Sequence, residues 1–357
     1  MGKVHVIGAG PAGSIAAISA IRSGFDVSVS EEHLSAGVPR NCSGLFSKDG
    51  LESLSPYLDY RKHVLNPVTG ARIHFDGEVF TVRRKSPVAF VCDRSGMDRA
   101  LAESAGDEGA RFDFGERVTS SFKSSNIIAA DGPLSLVARH FGFPPLRKHA
   151  GTLQAQIPYA AEDPRMIEMH ISNSRFPGFF GWVIPQNESY AEFGVGVELP
   201  LKPIHAWNHL MKLKGIGKAH KPRGFVIPLA PRSVTAKRHG GRNVLLAGDA
   251  AGQVKSTTGG GVIFGGMCAA LAGRHAGNPR RYELEWRLRY GADLALHRMI
   301  HSFISSRSDA ELSAFCRRIK KLNLDSYLSH HGHMDRPTRM MGPHLVAHIL
   351  RNIGGVV

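Results

Sequence analysis

The chain is predicted to have an α/β fold with an α+β insert: a Rossmann-like domain, an inserted antiparallel-sheet domain and a C-terminal helical region. Three observations predict it. The first 32 residues read as strand, glycine turn, helix and strand. Residues 151–228 read as successive short strands separated by turns. At "RNVLLAGDAAG" (residues 242–252) a buried strand followed by glycines returns, and after Pro279 the chain is helical and rich in Arg and His.

The elements follow in order. Lys3–Ile7 is a short apolar run expected as a buried parallel strand, and Ala12–Ser23 a helix rich in Ala and Ile, stopped by Gly24. Asp26–Ser30 alternates as a second strand that ends at Glu31 and Glu32. A loop rich in Gly, Pro, Ser and Asn, "SAGVPRNCSGLFS", covers residues 35–47. "ARIHFDGEVFTV" reads as a hairpin turning at Asp76-Gly77, Ser95–Glu108 as a helix, and "NIIAADG" (126–132) as a buried strand running into a turn. "TLQAQIPY", "RMIEMHI", "FFGWVIP", "YAEFGVGVE" and "GFVIPL" are the strands of the insert, interrupted by a helical pattern at His205–Leu213. The expected division is 1–60, 90–150 and 236–278 for the first domain, 61–89 and 151–235 for the sheet insert, and 279–357 for the helical region.

Composition narrows the class. With 42% hydrophobic and 21% charged residues, the 357-residue chain matches an ordinary globular protein, and no apolar run reaches the length of a membrane span. The first residues lack a basic-then-apolar signal pattern, so a cytoplasmic protein is expected, peripheral at a membrane at most. Four scattered cysteines without a Cys-x-x-Cys pair argue against a disulfide framework or zinc knuckle, and no metal is expected. The histidines at 330, 331, 333, 344 and 348 lack accompanying Cys or clustered carboxylates. The net charge of +15 is spread, with denser patches at 83–85, 212–223 and 317–321, which are either solvated faces or a surface for lipid headgroups. No nucleic-acid module is visible. The amphipathic stretch "HLVAHILRNIGGVV" either docks on a membrane or caps the core.

"GAGPAG" carries the first chemistry. Gly8 permits a tight turn, Gly10 lets the backbone approach a pyrophosphate, and Gly13 allows close helix–strand packing. The helix start presents free N–H groups to phosphate oxygens. Glu31, at the end of the second strand, is placed to accept both ribose hydroxyls of an adenosine, which suits FAD or NAD better than NADP. "LLAGDAAGQVKSTTGGGVIFGG" separates those two. Gly248-Asp249 ends an apolar strand, its carboxylate can hold a ribityl hydroxyl, and a helix starting near Gly259 can stabilise negative charge on a reduced flavin. FAD is the expected cofactor.

With Asp131-Gly132 between them, the two motifs make the chain resemble the FAD enzymes built like p-hydroxybenzoate hydroxylase, over residues 1 to about 275. Within that superfamily it resembles the geranylgeranyl reductase family, including the archaeal digeranylgeranylglycerophospholipid reductases. The matching segments are "CSGLFS", "CDRSGMDRALAESA", "GDAAGQVKSTTGGGV" and "PGFFGWVIP"; the last has Phe180 and Ile184 where the family has tyrosine and phenylalanine. The resemblance implies flavin contacts at Ala12, Glu31, Cys42, Ser43, Gly44, Arg94, Val118, Asp131, Gly248, Asp249, Gly261 and Val262. It implies saturation of isoprenoid double bonds by hydride from reduced flavin, with a lipid substrate and with NAD(P)H or ferredoxin as donor. Phe179, Phe180 and Trp182 are candidates to shield the site and face developing positive charge, or they are ordinary core. Cys42, flanked by Arg40 and Lys48, is either a redox or proton-donating thiol or a small residue fitting the loop. An aromatic monooxygenase or halogenase of the same superfamily is the alternative activity.

Overall fold

Val4, Val6 and Ile7 are buried in the strand Lys3–Ile7, and this run lies inside a six-stranded sheet. Burying each such side chain is worth roughly 1.5–3 kcal/mol, so a strand apolar on both faces belongs in the middle of a sheet. The structure, a computed structural model, describes residues 2–217, 221–342, 344, 345 and 348. From edge to edge the strands are Ala236–His239, Arg242–Leu246, Asn126–Ala129, Lys3–Ile7, Asp26–Glu31 and Arg111–Phe114. All neighbours are parallel except the first pair. The first helix, Pro11–Arg22, packs against the late helix, Val262–Arg274, so two helix N-termini meet at one end of this sheet.

The second sheet has seven strands, ordered Arg223–Pro228, His149–Pro158, Tyr190–Glu198, Gly181–Pro185, Met166–Ile171, Gly70–Phe75 and Glu78–Arg83. It departs from the purely antiparallel expectation at one junction, where Met166–Ile171 runs parallel to Gly70–Phe75. The hairpin 70–83 and the strands after residue 149 are separated in the chain by two of the six strands of the first sheet, Arg111–Phe114 and Asn126–Ala129. Their pairing is a long crossover, and no tight turn forces it antiparallel. A small third sheet, Leu45–Ser47, Ala89–Cys92 and Val64–Val68, straddles the expected boundary at residue 60. Its strands are too short and too far apart in sequence to show a period of their own.

The α-helices Pro279–Ser305, Asp309–Lys321 and Leu324–His331 make up most of the C-terminal region, and a short 3-10 turn, Pro337–Met340, follows them. Trp286 and Tyr282 anchor the first of them, the Trp286 indole donating to Thr235 Oγ1 at 2.8 Å and the Tyr282 hydroxyl to the Leu246 carbonyl at 2.6 Å. The basic patches partly serve this attachment. Arg84 donates to the carbonyls of Ser329, His330 and Gly332, and Arg317 and Lys320 pair with Glu78 on the hairpin. Among the described residues no helix is long and apolar enough to cross a membrane. The amphipathic C-terminal segment lies outside the described residues apart from 344, 345 and 348.

Candidate cofactor and substrate site

The glycine turn is built as its spacing requires. Gly8 has φ +99°, and its N–H donates to the Ser30 carbonyl at 2.8 Å. A Cβ on Gly13 would stand 1.8 Å from the Gly8 carbonyl oxygen, so the turn and the helix are in contact. Gly10, which caps the helix, has nothing within 4 Å of where a Cβ would be, leaving room in front of the helix terminus. Glu31 Oε2 accepts the Ala9 N–H of the turn at 2.7 Å, and Oε1 accepts the His33 N–H at 3.0 Å and lies 2.6 Å from His33 Nδ1. A carboxylate with about four lone-pair sites keeps capacity for hydroxyl donors. Val118 packs with Ile7 and Ile127 beneath the first strand.

The late motif arrives at the same place. A Cβ on Gly248 would lie 2.8 Å from the Ala12 Cβ. Asp249 follows, and its Oδ1 is 2.7 Å from the Cβ position of Gly261, the residue that caps the helix beginning at Val262. Among the described residues no group donates to the Asp249 carboxylate, and burial pushes it up to about 6, with Arg94 opposing. Asp131 is similar: Oδ2 accepts the Val137 N–H at 3.1 Å, while Oδ1 is buried without a partner. The donor-poor Asp249 carboxylate, the unpartnered Asp131 Oδ1, open space at Gly10 and two helix N-termini fit a ligand that brings hydroxyl donors and phosphate, as FAD does.

Arg94 links this part to the cysteine loop. It is buried and bidentate on Asp98, at 2.7 and 3.0 Å. Burial disfavours its charge, but Asp98 and the neighbouring Cys42 more than offset that. The expected cations beside Cys42 are elsewhere: Arg40 turns away to pair with Glu192, and Lys48 is exposed at the start of the helix Lys48–Leu54. Arg94 takes their place, because the loop folds onto the helix Arg94–Asp107. Cys42 is a half-buried free thiol whose Sγ accepts the Gly44 N–H at 3.4 Å, with Ser43 between them. The adjacent Cys92 thiol is pushed up to about 12, chiefly by burial.

The aromatic cluster faces the late loop. Phe179 and Phe180 stack at 4.3 Å, and Trp182 lies 5.6 Å from Phe180. Glycines across the sheet make their space: a Cβ on Gly194 would be 2.1 Å from the Trp182 ring and one on Gly196 2.3 Å from Phe179. Phe179 reaches within 3.1 Å of the Cβ position of Gly259, just ahead of the late helix. The Trp182 Nε1 is buried and unpartnered.

Several groups here escaped the sequence reading. Glu192 is 1% exposed and pairs in register with Ile184, on the same face as Trp182; burial pushes it up to about 7 against Arg40 and Gln186. Lys255, inside the quoted flavin-loop motif, forms a buried ion pair with Asp335 at 2.6 Å. A lysine in a glycine-rich motif gives no sign that it turns inward. His74, Glu168 and His170 form the one group among the described residues with metal-ligand spacing, their ligand atoms within 4.8 Å of one another. The Lys214 ammonium pairs with Glu168 there and already supplies a cation.

No family model matches the chain. The digeranylgeranylglycerophospholipid reductase 2 of Methanothermobacter thermautotrophicus is 28% identical over 90% of this chain and 93% of its own length. A geranylgeranyl bacteriochlorophyll reductase-like protein from Thermoplasma acidophilum shares the fold, with TM-score 0.78, 20% identity and coverage of 99% and 96% of the two chains. A probable FAD-dependent monooxygenase from Pseudomonas aeruginosa is further away, with TM-score 0.64, 14% identity and coverage of 85% and 96%. The chain is thus similar over nearly its whole length to digeranylgeranylglycerophospholipid reductases, and it shares its two-sheet fold with the geranylgeranyl bacteriochlorophyll reductase-like protein.

Proposed function

We propose that the chain is an FAD-dependent reductase that saturates carbon–carbon double bonds of geranylgeranyl groups in lipids or their prenyl precursors. The observation that carries this reading is the meeting of the aromatic segment leading into the strand Gly181–Pro185 with the late glycine loop, Phe179 against Gly259. It puts an apolar, aromatic wall beside the groups suited to hold a flavin. Reduced flavin, when bound, supplies hydride to an alkene carbon. The protein's residues do the rest. Glu31 and Asp249 would accept hydroxyls of the adenosine ribose and the ribityl chain, and the helix starting at Pro11 would direct N–H groups at phosphate. Val118 would offer its backbone to the adenine, and Asp131-Gly132 would border the middle of the site. Ser43 and Gly44 carry the loop that seats Cys42, and Arg94 fixes that loop from below.

An isolated alkene is a poor hydride acceptor, so the proton must reach one carbon ahead of the hydride, leaving positive charge on the carbon that then takes the hydride. Phe180 and Trp182 present π-faces to that charge and exclude water from it. Cys42, with Arg94 beside it, is the candidate to hold or pass a proton at its Sγ. The electron donor is NAD(P)H bound transiently or an acidic ferredoxin drawn by the positive surface.

The test is direct. Purified protein loaded with FAD and reduced by dithionite is given geranylgeranyl lipid. Product masses should rise by two hydrogens per double bond reduced. Oxygen-dependent turnover of an aromatic substrate with no such gain would point instead to the monooxygenase alternative. Cys42→Ala reducing substrate at the wild-type rate would remove the thiol from the chemistry.

A further inference from the structure

Lys255 belongs to the loop between Asp249 and the late helix, yet its side chain leaves the surface. Its N–H donates to the Gly260 carbonyl at 3.1 Å and its carbonyl accepts the Gly259 N–H at 2.8 Å, so this residue shapes the turn. The stem then runs beneath the glycines: the Cβ position of Gly260 is 2.7 Å from Lys255 Cε and 3.2 Å from Nζ. The ammonium is therefore held directly behind the turn, 6% exposed as a residue, by Asp335 Oδ1 at 2.6 Å.

Asp335 is itself held from several sides. Its other oxygen accepts the hydroxyl of Ser47, which lies at the end of the cysteine loop. Its backbone carbonyl meets His297 Nε2 at 3.1 Å, and His297 Nδ1 meets Thr257 Oγ1 at 2.7 Å. Burial pushes His297 down to about 4, so the ring in this network is neutral. The pair thus joins the flavin loop, the cysteine loop and the C-terminal segment at one buried point. A charge pair out of water is costly, and breaking it leaves the remaining charge unscreened in a low-dielectric site.

We infer that Lys255 and Asp335 are opposed positioning residues that set the reduction potential of the bound flavin from behind the glycine turn, Lys255 favouring the reduced form and Asp335 restraining it. The inference rests on the FAD reading above. Two-electron reduction with uptake of one proton leaves the flavin anionic at neutral pH. A cation behind the turn stabilises that anion, and its counter-ion limits the gain.

The midpoint potential of the FAD-loaded full chain, measured by dye-coupled reduction, tests this. Lys255→Met should lower the reduced-to-oxidised ratio about tenfold at fixed potential, about 30 mV for a two-electron couple. Asp335→Asn should raise it by threefold or more, and Lys255→Arg should stay within twofold of wild type. A purely structural role would move both charge-removing variants the same way or leave both within twofold, and either result overturns the inference. If Lys255→Met does not fold, Asp335→Asn and Lys255→Arg decide: a fall or no change with Asp335→Asn overturns it. Wild-type protein that takes up no FAD sinks the cofactor reading along with this one. Normal FAD uptake with same-direction shifts sinks this one alone.

Discussion

In the six-stranded sheet each site group follows a strand end within a few residues: Gly8 after Ile7, Asp131 after Ala129, Asp249 after Leu246. In the seven-stranded sheet Trp182 finds its place only because Gly194 is its partner on the next strand. The cofactor side is local in sequence and the substrate side is made by cross-strand register. Damage to the two should therefore look different. A clash at a strand-end turn removes the fold or the cofactor, whereas a clash across strands leaves cofactor binding and spoils the alkene's surroundings.

The largest expected effect comes from two neighbouring glycines. Gly13→Val drives a side chain into the Gly8 carbonyl and should cost more than about 3 kcal/mol in urea unfolding, with FAD uptake lost. Gly10→Ala meets open space, so its stability should stay within about 1 kcal/mol of wild type. FAD affinity, read by flavin fluorescence, should nevertheless fall about 100-fold, because the new methyl occupies the approach to phosphate.

Next in size is Gly194→Ala, whose Cβ would sit 2.1 Å from the Trp182 ring. FAD affinity should stay within twofold while alkene turnover drops at least tenfold, with an altered tryptophan emission spectrum. Equal losses of FAD and turnover would erase the distinction between the two sheets.

The smallest effect sharpens the cofactor side by pH. The folded Asp249 carboxyl titrates at about 6, above its ordinary 3.8. Its ionisation therefore costs stability, progressively as pH rises from about 4 through 6. Asp249→Asn should stabilise the FAD-free protein by about 1–3 kcal/mol at pH 7.5, leave it nearly unchanged at pH 4, and weaken FAD about tenfold. Greater stability with weaker binding would mark a group retained for the ligand and not for the fold.

The βαβ unit was legible because its parts are neighbours: apolar run, glycines and Glu31 lie in one stretch and meet in space. Cys42, Phe180 and Trp182 could be singled out as residues, but not their partners. The cation beside Cys42 is Arg94 and not Arg40, since the choice between an adjacent and a distant arginine depends on how the loop folds back. Glu192 looks like a solvent-facing position in an alternating strand, and only the elements packed over it make it buried. Asp335 carries no motif; its role exists only through Ser47 and Lys255.

What the sequence determined by itself is a turn suited to phosphate and the order of the main elements, because phosphate-binding turns, helix starts and apolar periodicity are short-range properties of the chain. Tertiary structure decided which residues face one another: the parallel junction of Met166–Ile171 with Gly70–Phe75, the aromatic wall over Gly194 and Gly196, and the buried Lys255–Asp335 pair. Those contacts depend on burial and register summed over distant segments, and neither quantity is carried by any one stretch of sequence.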